Sequence, residues 1–172
     1  MRNLEVKAKL TNLEEALESG VSLTGEEPVI LRQTDTYFEV PRGRLKLREE
    51  GDNCELIYYS RPDSRGPKAS DFLRVKVAQP VRLKEILSNA LSVSSVVEKV
   101  RRVFFYGSTR IHIDEVVGLG LFIELEVPVE NPASEETAQS TIEKLLSSFP
   151  GVGGLIPCSY SDMSRYGGDS PH

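Results

Sequence analysis

Period-two alternation of apolar and polar positions dominates this chain. Leu4 to Leu10 reads apolar, Glu, apolar, Lys, apolar, Lys, apolar, the pattern of a strand with one face on a core and the other on charge. Further strands are predicted for Gln33 to Val40, Arg44 to Arg48, Phe72 to Val77, and Glu55 to Arg61, the last closed by Pro62-Asp63. A long strand covers Val93 to Tyr106, and Gly107-Ser108 turns it into Arg110 to Val116. Gly118-Leu119-Gly120 then leads into Leu121 to Val127. Turns this short join antiparallel neighbours. Helices are predicted where the period lengthens. Thr11-Asn12-Leu13-Glu14 fits a capping box, with Gly20 suited to the end of that helix. Pro80 opens a second helix to about Ala90, and Asn131-Pro132 a third to about Ser148, with Glu135 and Glu136 near its positive end. Ser64 to Ser70 reads as a loop. The expectation is one antiparallel α+β domain over residues 1–166 with about eight strands and three helices, and a flexible tail over 167–172.

The charged strand faces carry the functional signal. Residues i and i+2 share a face, so Glu5, Lys7 and Lys9 lie together, as do Arg44, Lys46 and Arg48. Arg74 goes with Lys76, Lys99 with Arg101, Glu124 with Glu126, and Arg110 with His112 and Asp114. Lys and Glu are ordinarily depleted in strands. For one strand a solvated face explains them; for most strands of one chain two arrangements compete. Outward charges imply a sandwich with an apolar core. Inward charges imply a closed barrel whose basic lumen suits a polyphosphate and whose carboxylates suit a hard divalent cation bridging it.

Composition narrows the setting. The 172 residues carry 21 basic and 26 acidic side chains, a net charge of -5, which argues against nucleic acid as partner but not against a local basic pocket. No apolar run approaches the roughly 20 residues of a membrane helix, and the first residues lack an apolar signal core. Cys54 and Cys158 are far apart and read as reduced thiols, so a cytoplasmic protein is expected, as a monomer or homodimer. His112 reads as a hydrogen-bonded structural residue, and most of Tyr37, Phe38, Tyr58 and Tyr59 as core.

Several segments in order resemble the CYTH family, the triphosphate tunnel metalloenzymes. They are Glu5-Val6-Lys7-Ala8-Lys9, set against the family's Glu-x-Glu-x-Lys strand, Gln33-Thr34-Asp35-Thr36-Tyr37-Phe38, Leu45-Lys46-Leu47-Arg48, Arg61-Pro62-Asp63 and Lys99-Val100-Arg101. Ile113-Asp114-Glu115-Val116, Gly118-Leu119-Gly120, Phe122-Ile123-Glu124-Leu125-Glu126-Val127 and Ser159-Tyr160-Ser161-Asp162 follow. The resemblance implies an antiparallel closed β-barrel, the triphosphate tunnel, of about eight strands with flanking helices. It implies Mg2+ or Mn2+ on Glu5, Glu124 and Glu126, with Asp114 assisting. It implies phosphate on Lys9, Lys46, Arg48, Lys99 and Arg101, with Arg61 in a region that usually supplies a further cation. Glu5, Lys9, Asp114, Glu124 and Glu126 would then be the catalytic set. Metal-dependent hydrolysis of inorganic triphosphate, thiamine triphosphate or a nucleoside triphosphate is the leading expectation. A class IV adenylate cyclase, releasing cyclic AMP and pyrophosphate, is the alternative.

One departure bears on all of this: Lys7 stands where the family strand has its second Glu. The change is two charge units within one metal site, and each unit interaction at 4 Å is on the order of 4 kcal/mol at an effective dielectric near 20. It either abolishes a metal position, leaving a non-catalytic polyphosphate or nucleotide binder, or supplies an ammonium that contacts phosphate directly.

Overall fold

The computed structural model describes residues 2–60, 68–131 and 134–165. The elements are β1 (Arg2–Leu10), α1 (Leu13–Thr24), β2 (Val29–Phe38), β3 (Arg44–Glu50), β4 (Asn53–Ser60), β5 (Lys68–Lys76), α2 (Pro80–Ala90), β6 (Val93–Tyr106), β7 (Thr109–Val116), β8 (Gly120–Pro128), α3 (Glu135–Ser147), β9 (Val152–Leu155) and α4 (Tyr160–Arg165). The strands follow the order β5-β4-β3-β2-β6-β7-β8-β1, and β1 pairs again with β5. That last antiparallel ladder sets Glu5 opposite Lys68 and Arg2 opposite Asp71, so the eight strands return on themselves as an antiparallel barrel. β9 lies outside the ring, against the far end of β1.

Alternation decides what each face meets. The outward residues Leu4, Val6, Ala8 and Leu10 of β1 join Ile111 and Ile113 of β7 and Ile123 and Leu125 of β8. Ala16 of α1 and Ala138, Ile142 and Leu145 of α3 cover them. Each fully buried side chain of this size contributes about 1.5–3 kcal/mol, so this core fixes the register of β1, β7 and β8. A one-residue slip would exchange the faces. On the opposite flank Phe38, Leu47 and Cys54 pack under Leu83 and Leu87 of α2. A third cluster, Tyr37, Val97, Val116 and Phe122, lies on inward positions and meets Tyr160 of α4.

Several boundaries differ from the expectation. α1 passes through Gly20 and ends at Gly25, whose φ of 75° favours glycine and whose N–H reaches the Val21 carbonyl. Gly20 is needed because a Cβ there would stand 2.5 Å from the Phe104 ring. The N-cap is Asn12, whose side chain accepts from the Glu15 N–H, in place of a Thr11–Glu14 box. Asn131 makes a local turn with Ser134, and α3 begins only at Glu135. Lys68 to Ser70, read as loop, belong to β5, because pairing with β1 recruits them. β2 starts at Val29, earlier than the aromatic and β-branched run suggests, because β6 continues the ladder to Val103. β9 and α4 are additions. No helix among the described residues is long and apolar enough to cross a membrane.

Candidate functional site

The barrel encloses a cavity of about 360 Å³, within the ordinary range of small-molecule sites. Its lining includes the cations Lys7, Lys46, Arg48, Arg74, Lys99, Arg101 and Arg110 and the carboxylates Glu5, Glu50, Glu55, Glu124 and Glu126. At one end the apolar cluster around Phe122, Tyr37 and Tyr160 forms a buried floor. α4 is latched there by a hydrogen bond between the Ser161 and Ser95 hydroxyls (2.7 Å) and by Arg44 donating to Asp162 (2.8 Å). At the other end Val29 and Phe105, 51% and 50% exposed, form an open rim.

Register builds two charge clusters in the lumen. β2 and β3 place Asp35 opposite Arg48, and β6 brings Lys99 alongside. Arg48 donates to both Asp35 oxygens, Nε to Oδ1 at 2.8 Å and Nη2 to Oδ2 at 2.7 Å. Lys46 donates to Oδ2 at 2.9 Å and Lys99 at 3.3 Å. Asp35 is fully buried. Burial pushes its carboxyl up, but Lys46, Lys99 and Arg48 overcome that and hold it well below the usual carboxylate range. Burial and the neighbouring guanidiniums pull the amines the other way, Lys46 to about 8 and Lys99 to about 7, against the attraction of Asp35.

The second cluster spans β6, β7, β8 and β1. Arg101 faces Asp114 across the β6–β7 ladder. It donates to both Asp114 oxygens (2.7 and 2.6 Å) and to Glu124 Oε2 (2.9 Å). The Tyr160 hydroxyl donates to Asp114 at 2.8 Å. Lys7 lies opposite Glu124 in the β1–β8 ladder, its ammonium 3.6 Å from Oε2 and 3.9 Å from the Tyr160 ring centroid. Despite burial, Lys7 and Arg101 keep Glu124 well below its ordinary value. Arg110 donates to Glu126, and His112 Nδ1 stands 3.8 Å from Glu126 Oε1. Burial and Arg101 push His112 down to about 4, so it is neutral at pH 7. Nδ1, a buried atom, has no hydrogen-bond partner among the described residues, so the expected structural hydrogen bond is not made there.

The sequence-derived set is thus largely, but not wholly, brought together. Glu5, Lys7, Lys46, Arg48, Lys99, Arg101, Glu124 and Glu126 all line the cavity. Asp114 sits behind Arg101 at zero exposure. Lys9 has the right parity but the wrong depth: it pairs with Phe122 at the floor, and its side chain is exposed, outside the lining. Arg61 lies outside the described residues. The parity candidates Arg74 and Arg110 line the cavity, whereas Lys76 is exposed and Arg44 holds α4. Tyr37 and Phe38 are core; Tyr59 is half-buried against the Tyr37 cluster and, like Tyr37, lines the cavity, and Tyr58 is exposed on the other face. Cys54 and Cys158 are free thiols. Sequence reasoning missed Asp35. Its signals were parity with Gln33 and Tyr37 and its place in a family-like segment, neither of which assigned it a role, and the three cations that meet on it come from β3 and β6.

The carboxylates fit a divalent ion poorly. Glu5 and Glu126 are cross-strand neighbours, but Glu126 is held by Arg110 and Glu124 by both Lys7 and Arg101. Among the described residues no three His, Cys, Asp or Glu side chains converge on a metal position. The lumen carries its own counter-charges, so its cations need no bound anion to be tolerated.

The fold is a floored antiparallel barrel whose lumen is lined by cations and carboxylates together. The CYTH domain model matches residues 1–150, and the chain belongs to that family. A Methanocaldococcus jannaschii protein with the provisional name adenylate cyclase is 22% identical over 158 residues, covering 87% of this chain and 90% of that protein. The PH1012 protein of Pyrococcus horikoshii superposes with a TM-score of 0.78 at 22% identity, covering 93% of this chain and 98% of that one. A Hippeastrum protein, provisionally an adenylyl cyclase and described as having a dominant triphosphatase activity, superposes with a TM-score of 0.74 at 16% identity over 98% of both chains.

Proposed function

We propose that the chain binds the triphosphate part of a small molecule in its lumen and hydrolyses a phosphoanhydride bond there. The observation that carries this reading is the Asp35 cluster, where Lys46, Arg48 and Lys99 outnumber their single carboxylate and face the cavity. A phosphate reaching it gains charge-assisted hydrogen bonds without displacing a matched set of anions. Water attacks the terminal phosphorus and the bond from that phosphorus to the bridging oxygen breaks; the shortened chain leaves with that oxygen and the electron pair, and the proton lost by the water is shared between the two phosphate products and solvent. Phosphoryl transfer of this kind asks mainly for positioning and electrostatic stabilisation. Arg48, Lys46 and Lys99 supply both, Arg101 and Arg110 extend the clamp along the chain, and the floor limits how deep it enters. The dominant triphosphatase activity described for the Hippeastrum neighbour agrees with this reading.

A cyclase reading has one observation in its favour. The rim residues Val29 and Phe105, with Phe72 nearby in the lining, are apolar, a seat for an organic group on the triphosphate. Product analysis separates the two. Purified protein is incubated with inorganic triphosphate, thiamine triphosphate or ATP, with and without Mg2+ or Mn2+. Hydrolysis yields orthophosphate and the shortened chain; cyclic AMP with pyrophosphate from ATP would replace it with cyclisation. Tight binding with neither product would reduce the site to a binder.

A further inference from the structure

Lys7 is the buried cation whose presence the hydrolytic reading does not use. It is 6% exposed, it lines the cavity, and its ammonium is sandwiched between Glu124 Oε2 (3.6 Å) and the Tyr160 ring (3.9 Å). The register sets it directly opposite Glu124, so its position is fixed by the β1–β8 ladder rather than by a mobile stem. Arg101 reaches the same Glu124 oxygen at 2.9 Å. A divalent ion on that oxygen would sit against two fixed cations, and like-charge repulsion grows with the product of the charges. An ammonium, by contrast, is a compact point charge with three donors, able to hold Glu124 and still donate into the cavity.

We infer that Lys7 stands in for a metal ion: the lumen takes up a polyphosphate through the tethered ammonium, with no divalent cation on Glu124. The inference rests on the triphosphate reading above and specifies how that site neutralises its ligand. Lys7 bridges Glu124 and a phosphate oxygen, the role a cation shared between protein and substrate would otherwise fill. Metal carried in by the substrate is then dispensable for binding.

The test is calorimetric titration of inorganic triphosphate into the full chain, in EDTA and at fixed free Mn2+, for wild type, Lys7→Met and Lys7→Glu, with circular dichroism confirming folding. Wild type should bind in EDTA within about threefold of its affinity with Mn2+. Lys7→Met keeps the stem on Tyr160 and should lose about tenfold or more in both conditions, the size of one charge-assisted hydrogen bond. Lys7→Glu should lose at least as much in EDTA and regain about tenfold with Mn2+. Wild-type binding abolished by EDTA would overturn the inference while leaving the triphosphate site standing. Lys7→Met binding like wild type in EDTA would overturn it too. Failure of triphosphate to bind in any condition would remove both readings. If either variant does not fold, the wild-type comparison of EDTA against Mn2+ still decides.

Discussion

Around Asp35 three cations share one carboxylate, whereas around Arg101 one guanidinium is shared by Asp114 and Glu124 and a second cation, Lys7, completes the balance. Both clusters are buried and both are hydrogen-bonded. They differ in surplus at the contact itself: three cations converge on Asp35, with Glu50 and Glu55 farther along the same wall, whereas Arg101 and Lys7 match Asp114 and Glu124. Breaking a buried pair costs more than the pair itself contributes, because the abandoned charge stays buried. The matched side therefore carries more of the stability and the surplus side more of the binding, with Lys7, Arg101 and Arg110 as the matched wall's share of the clamp. Two lumen walls of similar composition are thereby given different work.

The largest effect is expected at Arg101. Arg101→Met leaves Asp114 and Glu124 facing each other, with Lys7 and the Tyr160 hydroxyl as remaining support. It should cost about 3–5 kcal/mol, a fall in melting temperature on the order of 10 °C, read by far-ultraviolet circular dichroism. Added inorganic triphosphate should restore less of it than in a variant of the other wall, since the ligand's charge adds to the unpaired Asp114 and Glu124. Asp35→Asn should cost less, about 2–3 kcal/mol, because its three cations line the cavity rather than closed core. Here triphosphate should recover most of the loss by binding only the folded state. Equal rescue of the two variants would erase the distinction between the walls.

A smaller effect lies in pH. Burial and the surrounding guanidiniums hold Lys99 near 7, below its ordinary 10.5. Between those values the unfolded chain keeps a proton that the folded chain has lost, so this group makes stability rise with pH across that window. Triphosphate binding needs the charged amine and runs the other way. Affinity should fall about tenfold from pH 6.5 to 8.5, with proton uptake on binding near pH 7.5. Lys99→Arg, which cannot deprotonate in this range, should flatten both. A profile unchanged in Lys99→Arg would assign the titration to another group, with Lys46 at about 8 next in line.

The unequal walls also explain how much could be read from the chain. Parity along β1, β3, β6 and β8 put Lys7, Lys46, Arg48, Lys99, Arg101, Glu124 and Glu126 on inward faces, because strand alternation is a local property. Depth is not local: Lys9 shares that parity but falls at the floor, since β1 outruns the charged layer and pairs with Phe122. Asp35 shows why pairing matters. It sits between two threonines like many surface aspartates, and its importance exists only once β3 and β6 flank β2. α4 spans six residues, too few for a helical period to register, and β9 contains Gly153 and Gly154, poor strand formers. Gly20 looked like a helix end and is a clearance for Phe104, a contact made across the fold.

The most direct measurement of the central claim, that the surplus wall is a triphosphate site, is thermal unfolding of wild type and Arg48→Ala with inorganic triphosphate and, separately, sulfate. The account predicts a large upward shift for wild type with triphosphate, little with sulfate, and a shift at least halved in a folded Arg48→Ala protein, consistent with about tenfold weaker binding. An equal shift in the two proteins, or the same response to sulfate as to triphosphate, would contradict it.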